Sequence, residues 1–169
     1  MLVPIGIAAV LALSPLLARA AEEAFDKRFL RDAYQNLAVE NEITRLAREH
    51  SRSEGVKHYA ELQIGGNRKM MEEVADLAKD HDVKLSDEMS EKQRDALEHL
   101  RKLDGQDFDI QYMSMEREDQ KSLVDTFDRA SKECKDQNVR EFARHKLAPL
   151  QEHLANAEEL YRKIKNKER

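Results

Sequence analysis

The sequence predicts an all-α fold, a four-helix bundle made of two helical hairpins joined by a long crossover that carries a short helix. Three observations support this prediction. The 169 residues include only five glycines and three prolines, and residue types that favour helices dominate the rest. Apolar residues recur at three- and four-residue steps over four long segments. The connections between these segments are short, long and short in turn, and connection length decides which helices are antiparallel neighbours.

The N-terminal segment, residues 1–20, has the pattern of a secretory signal peptide. An apolar run from Leu2 to Ala18 is followed by Arg19, Ala20 and then acidic residues, which predicts cleavage after Ala20. No Lys or Arg precedes the run, so either the amino group of Met1 serves alone or the true start lies upstream. The mature chain, residues 21–169, is then expected in the periplasm or outside the cell. A retained anchor is the alternative, and membrane contact is expected only through such an uncleaved segment.

The first hairpin is predicted from two apolar stripes and the turn between them. One stripe covers about residues 26–50, and the next begins at Val56 and ends near residues 80–82. The stretch 51–55 predicts a tight turn in which Ser53 is the N-cap of the second helix.

The crossover, residues 83–107, is too long for a hairpin loop. It begins extended and polar, and Ser90 is the predicted cap of a short helix that Gly105 closes. Such a segment can run the length of the bundle, so that the third long helix starts at the same end as the second. Two hairpins connected in this way form the ferritin-like arrangement.

The second hairpin is predicted from stripes that run from Phe108 to Ala130 and from Val139 to Ile164. Pro149 lies inside the last stripe and is expected to kink the helix or loosen one turn. Cys134 is the single cysteine, so no intramolecular disulfide is possible, and we expect it to be buried.

Charge and motifs argue against several functions. The net charge is −5 and no basic stripe is present, so no nucleic-acid partner is expected. The chain has no Gly-rich phosphate loop, no Ser-His-Asp set and no cysteine with an identifiable base. The sequence therefore favours a protein that is not an enzyme, without deciding the question.

Several short motifs occur in a fixed order over about residues 26–161. They are Phe29-Leu30-Arg31 leading to Glu40, Leu46-Ala47, Val56-Lys57-x-Tyr59-Ala60, Leu100-x-x-Leu103-x-Gly105-x-x-Phe108-Asp109-x-x-Tyr112, Phe142-Ala143 and Leu150-x-x-His153-Leu154. Their order and spacing resemble the domain of unknown function 4142 family of exported bacterial proteins. The resemblance implies a ferritin-like fold over nearly the whole mature chain.

The resemblance also implies a layer of one acidic residue and three histidines that face inward like metal ligands. Here the acidic position is Glu40 and the histidine of the last helix is His153, whereas Asn67 and Gln120 stand at the other two histidine positions. Amides are poor ligands for transition metals. No His follows a Glu at the Glu-x-x-His spacing of di-iron sites. The resemblance therefore implies a degenerate metal layer.

Two interpretations of this layer stay open. In the first, its four side chains hydrogen-bond to one another, with His153 paired to Glu40, and no cofactor binds. In the second, Glu40 and His153 retain a weakly bound transition metal, with help from Asp119 or Glu116.

Three function classes fit such a bundle. The first is a non-catalytic binding or structural envelope protein that acts on an unknown protein partner or by self-association. The second is a periplasmic metal-binding or redox protein with a reduced site. The third is a helical periplasmic chaperone or stress protein, which an exposed apolar patch of several hundred Å² would favour. The amides at positions 67 and 120 favour the first class over the second.

Overall fold

A computed structural model describes residues 15–166 of the chain, with side chains from residue 24 onward. Five helices make up the described part. They are α1 Pro15–His50, α2 Glu54–Asp80, α3 Glu91–Leu100, α4 Gly105–Glu133 and α5 Gln137–Asn166. The predicted all-α fold is confirmed: α1 packs on α2 and α4 packs on α5, while the short α3 lies in the crossover.

The first fourteen residues of the predicted signal segment lie outside the described part. The helix α1 begins at Pro15 and continues through the position after Ala20. Cleavage there stays a prediction. No described helix has both the length and the apolar character needed to cross a bilayer.

Two predicted helix caps are confirmed. The hydroxyl of Ser53 accepts a hydrogen bond from the backbone N–H of Val56 at the start of α2. At the start of α3, Ser90 and Gln93 form a reciprocal capping box, in which each side chain accepts from the other residue's backbone N–H. These contacts satisfy N–H groups that the first turn of a helix leaves without partners.

The prediction that Gly105 closes the short helix is wrong. The helix α3 already ends at Leu100, and Gly105 is the first residue of α4. Its φ is +59°, a left-handed conformation that glycine adopts without the steric cost of a Cβ atom. The glycine therefore redirects the chain from the crossover into α4.

Contacts at the two ends of the bundle fix the direction of the helices. In the first half of α1, Asp26 accepts hydrogen bonds from the backbone N–H groups of Lys135 and Asp136, at 3.1 and 2.8 Å, in the turn between α4 and α5. At the other end, the hydroxyl of Ser51 donates to Asp109 of α4 at 2.5 Å. The helix α1 is therefore antiparallel to α4, as the ferritin-like connection requires.

The crossover runs along the length of the bundle and contacts both ends of the core. Val83 and Leu85 pack against the apolar residues at the end where α2 finishes. Met89 and Leu103 pack against those at the end where α4 begins. The predicted path of the crossover is therefore confirmed.

The core consists of two apolar clusters, one toward each end. The lower cluster contains Phe29, Leu30, Ala33, Leu37, Met70, Val74, Ala78, Leu123, Phe127, Ala130, Cys134, Val139, Phe142, Ala143 and Leu150. The upper cluster contains Val39, Ile43, Leu46, Ala47, Val56, Tyr59, Ala60, Leu97, Leu100, Phe108, Tyr112, Met113, Ala157 and Ile164. Cys134 is buried, as predicted. Pro149 lies inside α5, and the helix continues on both sides of it.

Candidate functional site

A layer of polar side chains lies between the two apolar clusters, at the level where all four long helices meet. We call it the polar layer; its members are Glu40 and Thr44 of α1, Tyr59, Gln63 and Asn67 of α2, Tyr112, Glu116 and Gln120 of α4, and His153 of α5. Within each helix the members are four residues apart, so they share one face. All members except His153 are buried.

Glu40 lies at the centre of the residues that the sequence singled out. It is 6 % exposed, and its Oε1 accepts a hydrogen bond from Nε2 of Gln120 at 2.5 Å. Burial raises the pKa of Glu40 to about 7, and the negative charge of Asp119 adds to the rise. Asn67 and Gln120 oppose it by polar contact with the carboxylate. The carboxyl of Glu40 therefore keeps its proton well above the pH at which an exposed glutamate loses it.

Glu116 is a second buried carboxyl group, and it faces two hydroxyl groups. Tyr59 donates to its Oε2 at 3.1 Å, and Thr44 lies 3.4 Å from its Oε1. Gln63 in turn donates to the hydroxyl of Tyr59 at 2.6 Å. Burial raises the pKa of Glu116 well above its usual range, and the negative charge of Glu40 raises it further. Two buried carboxyl groups that repel each other favour the protonated form.

His153 does not pair with Glu40, so the prediction of a hydrogen bond between them is wrong. Its Nδ1 is buried without a hydrogen-bond partner, and burial lowers the pKa of the imidazole. The ring lies against α2, where its Cε1 would be 3.6 Å from a Cβ atom built on Gly66. His153 therefore fills the space over a glycine, while the carboxylate of Glu40 is directed toward Gln120.

Several polar atoms of the layer form no hydrogen bond of normal geometry with another protein atom. The atoms are Gln63 Oε1, Asn67 Nδ2, Tyr112 OH, Gln120 Oε1 and His153 Nδ1. Buried polar groups normally form hydrogen bonds, because desolvation costs about 1–3 kcal/mol per unpaired group. The amide of Asn67 nevertheless lies close enough to Glu40, and the hydroxyl of Tyr112 close enough to Glu116, to lower the pKa of each carboxyl group.

A cleft of about 530 Å³ opens beside the polar layer, between α1, α3 and α4. Glu40 lines it from α1, and Glu118 and Asp119 line it from α4. Asp119 is exposed at the mouth of the cleft. Partial desolvation there raises its pKa to about 6, and the charge of Glu118 adds to this rise. The layer is thus connected to solvent through a concave site with three carboxyl groups.

The structure brings together most of the residues selected from the sequence, but not all of them. Glu40, Asn67 and Gln120 lie together in the layer, His153 lies at its edge, and Asp119 lies in the neighbouring cleft. Sequence reasoning named Glu116 only as a helper and missed the hydroxyl groups around it. The available signal was the four-residue spacing that joins Tyr112, Glu116 and Gln120 on α4.

These donors fit a transition metal poorly. Both oxygens of Glu116 face hydroxyl groups and one oxygen of Glu40 accepts from an amide. Among residues 24–166, no three His, Cys, Asp or Glu side chains come together in a way that could hold an ion. Hydroxyl and amide groups instead suit a hydrogen-bonded layer that holds protons.

Comparisons with known proteins agree with this fold. A protein from Streptomyces coelicolor, described as a secreted protein DUF305, has a solved structure that matches with a TM-score of 0.66 and 13 % sequence identity. The match covers 85 % of this chain and 93 % of that one, and at this identity it concerns the fold alone. None of the curated proteins matches the chain. The family model described as Domain of unknown function (DUF4142) matches residues 13–160. Because this match covers most of the sequence, the chain belongs to the DUF4142 family.

Proposed function

We propose that the chain is an exported, non-catalytic binding protein of the cell envelope, whose polar layer is closed by hydrogen bonds and protons without a metal. The observation that carries this proposal is the pair of buried carboxyl groups, Glu40 and Glu116, each of which faces neutral donors. A neutral donor stabilises a carboxyl group without supplying the positive charge that an ion would bring.

The protonation of the layer supports a metal-free state. Metal ligands must be deprotonated, so an ion competes with protons for the same carboxyl oxygens. The pKa of Glu40 is raised to about 7 and that of Glu116 well above its usual range, mainly by burial. Protons therefore compete with an ion for both carboxyl groups, and at Glu40 they do so up to about pH 7.

Exposed surface favours binding or structural roles over a chaperone role. Among the residues whose side chains the structure describes, Leu62 is the one large hydrophobic residue that is exposed. A single exposed leucine is ordinary for a folded protein and forms no patch of several hundred Å². A partner of this chain is therefore expected to use a cleft or polar surface.

Export is supported by the apolar N-terminal segment and its switch to charged residues after Ala20. The similar fold from Streptomyces coelicolor belongs to a protein described as secreted. Both observations fit a protein that acts in the periplasm or outside the cell.

Metal content tests the proposal. Residues 21–169 would be purified without chelator or His tag and examined by elemental analysis, before and after incubation with iron, zinc, manganese and copper. We expect no stoichiometric ion and an unchanged melting temperature. One ion per chain, lost again in the His153→Ala variant, would overturn the proposal in favour of the metal-binding alternative.

The His153→Ala variant serves as a probe because the substitution itself is expected to lower the free energy of unfolding only slightly. No hydrogen bond of His153 is present to be lost, and its Nδ1 is already unpaired. The loss of packing over Gly66 is expected to cost about 1 kcal/mol. A change in metal content of this variant would therefore report on an ion and not on unfolding.

A further inference from the structure

We infer that two copies of this chain associate as a twofold-symmetric dimer, in which the exposed face of α2 packs antiparallel on the same face of the second copy. The inference rests on the proposed binding function and names a second copy of the chain as a partner. The observation that points to it is the charge complementarity of this face with itself.

The exposed residues in the middle of α2 are arranged symmetrically about Gly65. Three of them lie on each side, at distances of three, four and seven residues along the chain. They are Leu62, Glu61 and His58 before Gly65, and Arg68, Lys69 and Glu72 after it. Steps of three and four residues keep such positions on one face of a helix. We call these six residues and Gly65 the α2 face.

A twofold axis through Gly65 brings opposite charges together. When two identical helices pack antiparallel about such an axis, each residue faces the one that lies equally far on the other side of the axis in the second copy. The positions that then face each other are Glu61 and Lys69, Leu62 and Arg68, and His58 and Glu72. The symmetry repeats each contact, so Glu61 and Lys69 form two ion pairs, and no two like charges face each other.

The charges that this pairing needs are available. The ion pairs next to the α2 face use other residues: Lys57 pairs with Glu54 at 3.0 Å, and Glu73 pairs with Lys146 of α5 at 2.6 Å. Within residues 24–166, Glu61 and Lys69 form no hydrogen bond or ion pair with another side chain. Both can therefore pair across the dimer without breaking a contact of the bundle.

The centre of the α2 face is apolar and permits close approach. Leu62 is 59 % exposed and is the one large hydrophobic residue exposed among the described side chains. At Gly65 a Cβ atom would meet nothing within 4 Å, so the bundle itself does not require glycine there. A glycine where two helices cross lets their axes approach to about 8 Å. At that separation Leu62 packs across the backbone of the second copy and against the alkyl stem of Arg68.

The size of the α2 face predicts a weak dimer. From residue 58 to residue 72 the face is about 21 Å long, because a helix rises about 1.5 Å per residue. A contact between two single helices of this length buries less than the about 1,200 Å² of a stable interface. We therefore expect a reversible dimer with a dissociation constant on the order of 0.1 mM. At the lower concentrations of denaturation experiments the chain is then monomeric.

Sedimentation velocity of residues 21–169 tests the inference, at chain concentrations from about 10 μM to about 1 mM and at low ionic strength. We expect the weight-average mass to rise with concentration from that of one chain toward that of two. A chain that stays monomeric at about 1 mM would overturn the inference and leave the α2 face to a different protein.

Charge reversal locates the interface. Glu61→Lys and Lys69→Glu each place like charges opposite one another and should weaken dimerisation about tenfold or more. The two substitutions in one chain restore opposite charges, so the double variant should dimerise within about threefold of the native chain. A double variant no better than the single ones would contradict the antiparallel pairing.

The control for charge reversal is Asp125→Lys. Asp125 is exposed on α4, which neighbours α1 and α5 and so lies diagonally opposite α2. The substitution changes the net charge of the chain by the same amount as Glu61→Lys and should leave dimerisation unchanged. Equal effects of Asp125→Lys and Glu61→Lys would mean that net charge governs association, and would overturn the assignment to the α2 face.

Gly65→Gln separates loss of the interface from loss of the fold. The larger side chain should weaken dimerisation about tenfold or more, because it holds the two helices apart. It should not lower the melting temperature, since Gln favours a helix more than Gly and its Cβ meets nothing within 4 Å. Dimerisation of this variant at native strength would refute the contact at Gly65. A metal-free chain that stays monomeric would refute this inference alone, whereas a stoichiometric ion would refute the proposed function.

Discussion

Replacement of Glu40 by Gln is expected to stabilise the protein at alkaline pH and to leave its stability nearly unchanged at acid pH. In the native state, burial raises the pKa of Glu40 from 4.5 to about 7. A carboxyl group whose pKa is higher in the folded than in the unfolded state favours folding when protonated and opposes it when ionised. The stability of the native protein should therefore fall as the pH rises from about 4.5 to about 7 and level off above that.

The magnitude follows from the size of this change. Each pKa unit corresponds to about 1.4 kcal/mol, so the rise from 4.5 to about 7 gives a cost of about 3 kcal/mol at high pH. The neutral amide in Glu40→Gln escapes this cost and can still accept a hydrogen bond from Gln120. For a chain of this length, about 3 kcal/mol corresponds to a difference of about 6–12 °C in melting temperature.

Urea denaturation monitored by circular dichroism, between about pH 5 and pH 8.5, measures this difference at each pH. Glu61→Gln is the control, because Glu61 is exposed on α2 and its amide variant should show the pH profile of the native protein. Parallel profiles for the native chain and Glu40→Gln would refute the reasoning. So would a Glu40→Gln variant that is less stable than the native chain at about pH 8.

Three substitutions and one chemical modification test other parts of the structure. Gly65→Ala should raise the free energy of unfolding by about 0.5–1 kcal/mol, because Gly65 lies within α2 and a Cβ there would meet nothing within 4 Å. Gly105 has a positive φ, so Gly105→Ala should lower the free energy of unfolding in the same urea titration. Asp26→Ala should lower the free energy of unfolding by about 2–4 kcal/mol, because it removes the acceptor of two N–H groups in the α4–α5 turn. A change near zero in thermal melts would contradict a stabilising role of these hydrogen bonds. Cys134 is 1 % exposed, and burial raises the pKa of its thiol. It should therefore react with a thiol reagent only as fast as the protein unfolds. Rapid modification of the native state would contradict its burial.

The fold was predictable because its signals are local or periodic. Ser53 and Ser90 are caps whose role depends on the next three residues, and both were identified from the sequence. Gly105 was misplaced because a glycine between two helices can end the first or begin the second. The choice depends on where α3 stops, which its packing on the upper cluster decides and the local sequence does not.

The site was less predictable because its members depend on pairs of helices. Glu116 lies on a helix rich in charge, where its four-residue spacing from Tyr112 and Gln120 was a weak sign of an inward position, so it was undervalued. Its burial follows from Tyr59 and Thr44, which α1 and α2 bring to the same level. His153 and Glu40 were expected to meet because both border apolar stripes, but the rotation of α5 turns His153 toward Gly66.

The division of the core into an upper and a lower cluster affects how such a protein can change over evolutionary time. Most of the apolar burial lies in the two clusters, and the middle section between them contains the polar layer. Asn67 and Gln120 belong to neither cluster, so replacing them would change the chemistry of the middle section in single steps while both clusters stay intact. A bundle built in this way can pass from one ligand to another, or from a ligand to none, while it remains folded at every step.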